Sequence, residues 1–108
     1  MTVQELADKL ALTAPALPDP HRQITGVYIG DLLSWVMGRA GEGDAWITIM
    51  SNRNIVAVAL LADTACILLA EGVQPDEGVA QLAMEKGINL LCSPYSAYET
   101  ALRLRDAL

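Results

Sequence analysis

Three short polar stretches hold the residues best suited to chemistry: Ser51-Asn52-Arg53-Asn54, Glu71-Gly72 and Ser93-Pro94-Tyr95-Ser96. The first brings hydroxyl and amide donors and one guanidinium, with no acid beside them. Such a group suits a phosphate or carboxylate, because hydrogen bonds between ionised partners are the strong ones. The third adds the Ser93 and Ser96 hydroxyls and the Tyr95 ring, against which a base can stack. A small anion or a nucleotide is therefore the ligand these residues predict. The plainer reading stands beside it, since serine, asparagine and proline are also the residues that start helices and turns.

Catalysis has less support. A nucleophile needs a base within hydrogen-bond reach, and the only histidine, His21, lies in a proline-rich stretch where it reads as a solvated loop residue. Glu71 is the one carboxylate placed where a general base would sit, and beside Gly72 it also reads as a turn residue. Cys66 and Cys92 are 26 residues apart with no CxxC, so no zinc or iron-sulfur spacing is present and no metal or other cofactor is expected. Two small buried thiols in a reducing cytoplasm are the expectation.

The Gly30-Asp31 junction inside ITGVYIGDLLSWVMGRA deserves the same test, because the apolar spacing there changes from that of a strand to that of a helix. A phosphate-binding turn leaves backbone amides free at the helix start. Asp31 would accept those amides itself and repel a phosphate. Neither GxGxxG nor GKS or GKT occurs. The junction is thus predicted to be a turn capped by Asp31, with Leu32, Leu33, Val36 and Met37 packing inward, Trp35 free for an interface, and about 1 kcal/mol lost with the cap in Asp31→Ala.

The elements that must position these groups follow from apolar periodicity. TVQELADKLAL has Val3, Leu6 and Leu10 at helical spacing, with Thr2 and Glu5 in capping-box relation. TAPALPDPH carries three prolines between residues 13 and 20 and is predicted to be a loop. Apolar runs follow at 24–30, 45–50, 65–70 and 88–92, each preceding a helical segment. That alternation predicts an α/β fold with a mostly parallel sheet of about four strands and helices on both faces. Ser93 before Pro94 reads as a helix N-cap, Gly87 as a helix stop, and PDEGVAQLAMEKG as a helix whose apolar side carries Val79, Leu82, Ala83 and the stem of Lys86. Ile55–Ala62 is apolar all round and is expected to be covered on two sides, by the sheet and by either the N-terminal helix or a second subunit.

In open α/β sheets ligands bind beyond the carboxyl ends of the strands, and the three polar stretches all sit at such ends. The chain has 108 residues, the size of a single domain, with 53% hydrophobic and 19% charged residues. The apolar surplus predicts a protein contact, most simply a homodimer. Thirteen acidic against seven scattered basic residues give a net charge of −6, which disfavours nucleic acid and anionic membrane. No apolar run reaches the ~18 residues of a membrane span, and residues 1–12 do not read as a signal peptide. A soluble, cytoplasmic protein is the expectation.

ITGVYIGDLLSWVM, EGDAWITIMSNRNIVAVALLADTACILLAEG and GINLLCSPYSAYETALRL together resemble the DRTGG-domain family, from about Thr2 to the C-terminus. Where that family carries its naming string, this chain has Arg22-Gln23-Ile24-Thr25-Gly26. The resemblance implies an α/β fold like the N-terminal domains of HPr serine kinase/phosphorylase and the substrate-recognition domains of Mur ligases. It further implies a regulatory or dimerising part of the kind fused to phosphotransacetylases and CBS-containing pyrophosphatases. The kinase activity of HPr kinase resides in a separate P-loop domain, and it does not carry over to this chain. The expected function is a non-catalytic, dimeric sensor of a small anionic metabolite or nucleotide, with Ser51, Asn52, Arg53, Asn54, Glu71, Ser93, Tyr95 and Ser96 at the ligand. The alternative is a docking adaptor without a small ligand, in contact through Ile55–Ala62, Trp35 and Trp46.

Overall fold

The computed structural model describes residues 1–108. In chain order the elements are α1 (Val3–Leu10), β1 (Thr13–Ala16), β2 (Gly26–Ile29), α2 (Leu33–Arg39), β3 (Asp44–Thr48), α3 (Asn54–Ala62), β4 (Cys66–Leu69), α4 (Val79–Lys86), β5 (Leu90–Cys92) and α5 (Ala97–Ala107). They build one five-stranded sheet in the order β1-β5-β4-β3-β2, parallel from β2 to β5 and antiparallel only at β1.

The parallel strands step across the sheet in one direction. Right-handed crossovers then stack their helices on a single face, and α2, α3 and α4 do lie together, over Trp46, Ile67, Leu69, Leu90 and Cys92. α1 and α5 cover the other face, over Ala45, Ile47, Cys66, Leu68 and Leu91. Strands β3, β4 and β5 are therefore buried on both sides, which is why their sequences are nearly continuous in apolar residues. Cys66 and Cys92 belong to opposite faces, and both are free thiols.

Local chemistry sets several ends. Thr2 Oγ1 accepts the Glu5 amide and Glu5 Oε1 accepts the Thr2 amide, a complete capping box that starts α1. The same hydrogen bonds hold the Glu5 carboxyl below its usual range. Gly87 ends α4 in the left-handed region.

Other expectations are corrected. Residues 13–16 form a strand, not a loop; β1 pairs with β5 at Thr13–Cys92 and Ala16–Leu90, with an irregular step between. Pro15 is tolerated there because an edge strand has one side that needs no amide donor. α4 begins at Val79, after Gly78, so Asp76 and Glu77 precede the helix. α3 does not meet α1, which is on the far side of the sheet; it packs between α2 and α4 and leaves Leu60 and Leu61 exposed. Val36 is buried as predicted, whereas Leu32 and Met37 face solvent. Trp46 is fully buried, its Nε1 donating to the Gly30 carbonyl at 2.9 Å, so it offers no contact surface. Trp35 is about half exposed, with Arg39 stacked on its ring.

Candidate functional site

Because β3, β4 and β5 are adjacent and parallel, their carboxyl ends form one rim, and the predicted ligand residues all lie on it. The rim is divided, however, by what each side chain already bonds.

At the end of β4, Glu71 adopts a left-handed backbone conformation and its Oε2 accepts the Ala97 amide at 2.8 Å. Its own amide donates to the Tyr95 carbonyl at 2.7 Å. The carboxylate thus occupies the amide at the start of α5 that an anion would use. Ser93 does not cap α5. Its buried hydroxyl pairs with Thr100 Oγ1 at 2.8 Å and accepts the Tyr95 amide at 3.2 Å. The cap is Ser96, whose Oγ accepts the Glu99 amide at 3.1 Å. The Tyr95 ring lies 3.9 Å from the Arg103 guanidinium. Here the Ser93 and Ser96 hydroxyls and the Tyr95 ring are engaged within the chain.

At the end of β3 the arrangement is looser. Ser51 Oγ donates to Asp76 Oδ1 at 2.9 Å, and Asn52 Oδ1 accepts the Asn54 amide at 2.9 Å, so both hold the turn. The Arg53 guanidinium and the Asn54 carboxamide make no hydrogen bond or ion pair within the chain. They line a groove of about 380 Å³ between α3 and α4, together with Val56, Leu60, Leu82 and Lys86. Lys86 was missing from the sequence-derived ligand set. Its signal was its place on the apolar side of α4, where a lysine stem lies against apolar neighbours while its ammonium reaches out.

Asp31 leaves α2 without a side-chain cap. Its Oδ1 instead accepts Thr48 Oγ1 at 2.8 Å and the Ile49 amide at 3.0 Å. The expected cap is therefore a tie between the β2–α2 turn and the end of β3, because the Asp31 carboxylate turns across the sheet edge.

No group of three or more His, Cys, Asp or Glu side chains is placed to hold a metal ion. His21 is exposed. Burial pushes the Cys66 thiol up to about 12 and raises Cys92 as well, so both sulfurs are protonated and poor nucleophiles at neutral pH.

A model of the DRTGG domain matches residues 19–107. The chain belongs to the DRTGG domain family. The match leaves out α1 and β1, so it is shorter than the resemblance read from Thr2 onward. The CBS and DRTGG domains of the regulatory region of Clostridium perfringens pyrophosphatase, in complex with the activator diadenosine tetraphosphate, share the fold. The TM-score is 0.76 at 16% identity, over 99% of this chain and 47% of that one, so this DRTGG domain spans about half of its structural neighbour. No curated protein matches the chain.

In this DRTGG domain the residues at the naming string, Arg22 to Gly26, lie at the amino ends of the strands, across the sheet from the ligand candidates. Arg22 binds Asp63 through its side chain at 3.1 Å and its carbonyl at 2.9 Å. The Thr25 amide donates to the Gly43 carbonyl, and the Gly43 amide donates to the Asp63 carbonyl. Gly26 sits so close to Asp44 that a Cβ would collide with its carboxylate. The segment ties together the turns that lead into β2, β3 and β4.

Proposed function

We propose that the chain is a non-catalytic regulatory module that works as a homodimer and senses a small anionic metabolite or nucleotide at the carboxyl rim of its sheet. The observation that carries this reading is the unengaged pair Arg53 and Asn54 on a rim where Ser51, Asn52, Glu71, Ser93 and Ser96 are all bonded within the chain. Ser51, Asn52, Glu71, Ser93, Tyr95 and Ser96 then frame the site by fixing the turns around it. The structural neighbour supports the reading, being a regulatory region that was solved with a nucleotide activator.

A thermal-shift screen of nucleotides and small anions at millimolar concentration tests it. Ligands that bind the native state raise the melting temperature; wild type is expected to be stabilised by at least one of them and Arg53→Ala by none. A wild-type chain that none of them stabilises ends the sensing proposal.

The dimer rests on β2. This edge strand, Gly26-Val27-Tyr28-Ile29, carries neither a charge nor a proline, while the opposite edge, β1, has Pro15. Exposed edges are usually blunted by such residues, and an unblunted one pairs readily with another strand. Val27 and Ile29 are exposed on it, and a second copy related by a two-fold axis would extend the sheet. Light scattering is expected to give a dimer that Ile29→Lys converts to monomer. The same edge would serve a docking adaptor, in which case wild type is a monomer on its own.

A further inference from the structure

We propose that the outer side of α3 and its groove with α4 form a docking surface for an acidic amphipathic helix of another protein. The inference stands apart from the sensing role, whose probes are small ligands.

α3 lies in the middle of a helix layer, between α2 and α4, and the side of such a helix that looks away from the sheet ordinarily carries charged and polar residues. Here Asn54–Ala62 has no ionisable side chain. Ala57, Leu60 and Leu61 are exposed on it, Leu61 at 73%. Val56 and Leu60 are four residues apart, as are Ala57 and Leu61, so they form two adjacent apolar rows along the helix. The first row lines the groove together with Leu82 of α4. Grooves of this kind accept a third helix, whose apolar side chains at i, i+3, i+4 and i+7 set into it.

Charge selects the partner. Of the chain's thirteen acidic residues only Glu85 lies on α2, α3 or α4. Arg53 opens α3 and Lys86 ends α4, and the two helices run the same way, so the cations stand toward opposite ends of the groove. Neither is in an ion pair, and no acidic side chain lines the groove. From Arg53 to Leu60 the groove follows α3 for about two turns, roughly 10 Å. A helix lying along it meets a cation toward each end when its carboxylates are about two turns apart with leucine-like side chains between them.

A second copy does not fit this description. α1, the helix that carries Glu5 and Asp8, turns Val3, Leu6 and Leu10 into the core. A flat anionic bilayer would meet Leu61 and leave Val56, 1% exposed, out of reach, and the net charge of −6 opposes it.

The test is a backbone-amide NMR titration of the full chain with a synthetic helical peptide of about 15 residues. It carries leucines at i, i+3, i+4 and i+7 with glutamates at both ends of that row, and a control peptide has lysines in place of the glutamates. Leu61 and Lys86 are exposed, so Leu61→Ser and Lys86→Glu keep the fold, which the spectra themselves verify. The glutamate peptide is expected to shift amides of α3 and α4. Each substitution weakens it roughly tenfold, and the lysine peptide binds at least roughly tenfold more weakly. Equal affinity of the two peptides overturns the proposal, as do shifts outside α3 and α4 or no shift at millimolar peptide. Amides of α3 that move on dilution of the free chain give the face to a second copy, and binding to phosphatidylglycerol vesicles but not to the peptide gives it to a membrane. Either result overturns the proposal.

Discussion

The Glu71 carboxylate accepts the Ala97 amide at 2.8 Å, so the end of β4 closes the first turn of α5 across 26 residues of sequence. A carboxylate at a helix start satisfies an amide the helix leaves open and interacts well with the dipole. Glu71→Ala is expected to lower stability by about 1 kcal/mol in urea denaturation, with Glu71→Gln recovering part of it through its remaining acceptor. Equal losses in the two variants would contradict this role.

Asp31 and Thr48 form a comparable tie. Removing the carboxylate leaves the buried Thr48 hydroxyl without an acceptor, though it still accepts the Met50 amide, and frees the Ile49 amide to solvent. Asp31→Ala is expected to cost about 1–2 kcal/mol. A double-mutant cycle with Thr48→Val separates the tie from a helix cap: the tie predicts that the two losses fall short of additivity, whereas a cap predicts that they add.

Cys66 makes stability depend on pH. Its thiol titrates at about 12 in the folded chain against 9.0 for the unperturbed group, so above pH 9 the unfolded chain releases a proton that the folded chain keeps. The contribution is complete below pH 9 and is lost as pH rises toward 12, at a slope approaching about 1.4 kcal/mol per pH unit. Denaturation midpoints at rising alkaline pH are expected to fall, less steeply in Cys66→Ala; the raised Cys92 thiol acts in the same direction.

Asn89 is buried and fully used: Oδ1 accepts the Asp19 amide at 3.0 Å, and Nδ2 donates to the carbonyls of Asp19 at 2.7 Å and Ala65 at 3.0 Å. It pins the proline-rich segment to the amino end of β4. Asn89→Ala is expected to cost about 2–4 kcal/mol, since it removes three hydrogen bonds, the one to the Ala65 carbonyl being buried. Thermal unfolding followed by circular dichroism measures it.

Arg22 is expected to matter little. Its ion pair with Asp63 is partly exposed, and such pairs contribute about 0–1 kcal/mol. Arg22→Ala is also expected to leave ligand binding unchanged, because it lies at the opposite rim; a lost ligand response would move the site to the naming segment.

The helix start at Thr2, the stop at Gly87 and the four parallel strands were legible because each is written in residues close together in the chain. A capping box spans one helical turn, and a strand buried on both faces shows as a short apolar run. The common rim followed once β3, β4 and β5 were parallel neighbours, since each polar stretch comes directly after its strand. Strand β1 was not legible: Pro15 hides the pattern, and only an edge position beside β5 makes its pairing acceptable.

Which rim groups are free was decided by tertiary structure alone. Ser93 reads as a cap beside Pro94, yet folding sets its hydroxyl against Thr100 and leaves Ser96 to start the helix. Asp31 finds Thr48 and Glu71 finds the Ala97 amide. The sequence by itself determined what each segment would become and which end of the sheet would carry polar side chains, because those depend on local backbone preference and apolar spacing. Partnership depends on which distant segments packing brings within about 3 Å, the reach of a hydrogen bond, and that distance exists only in the folded chain.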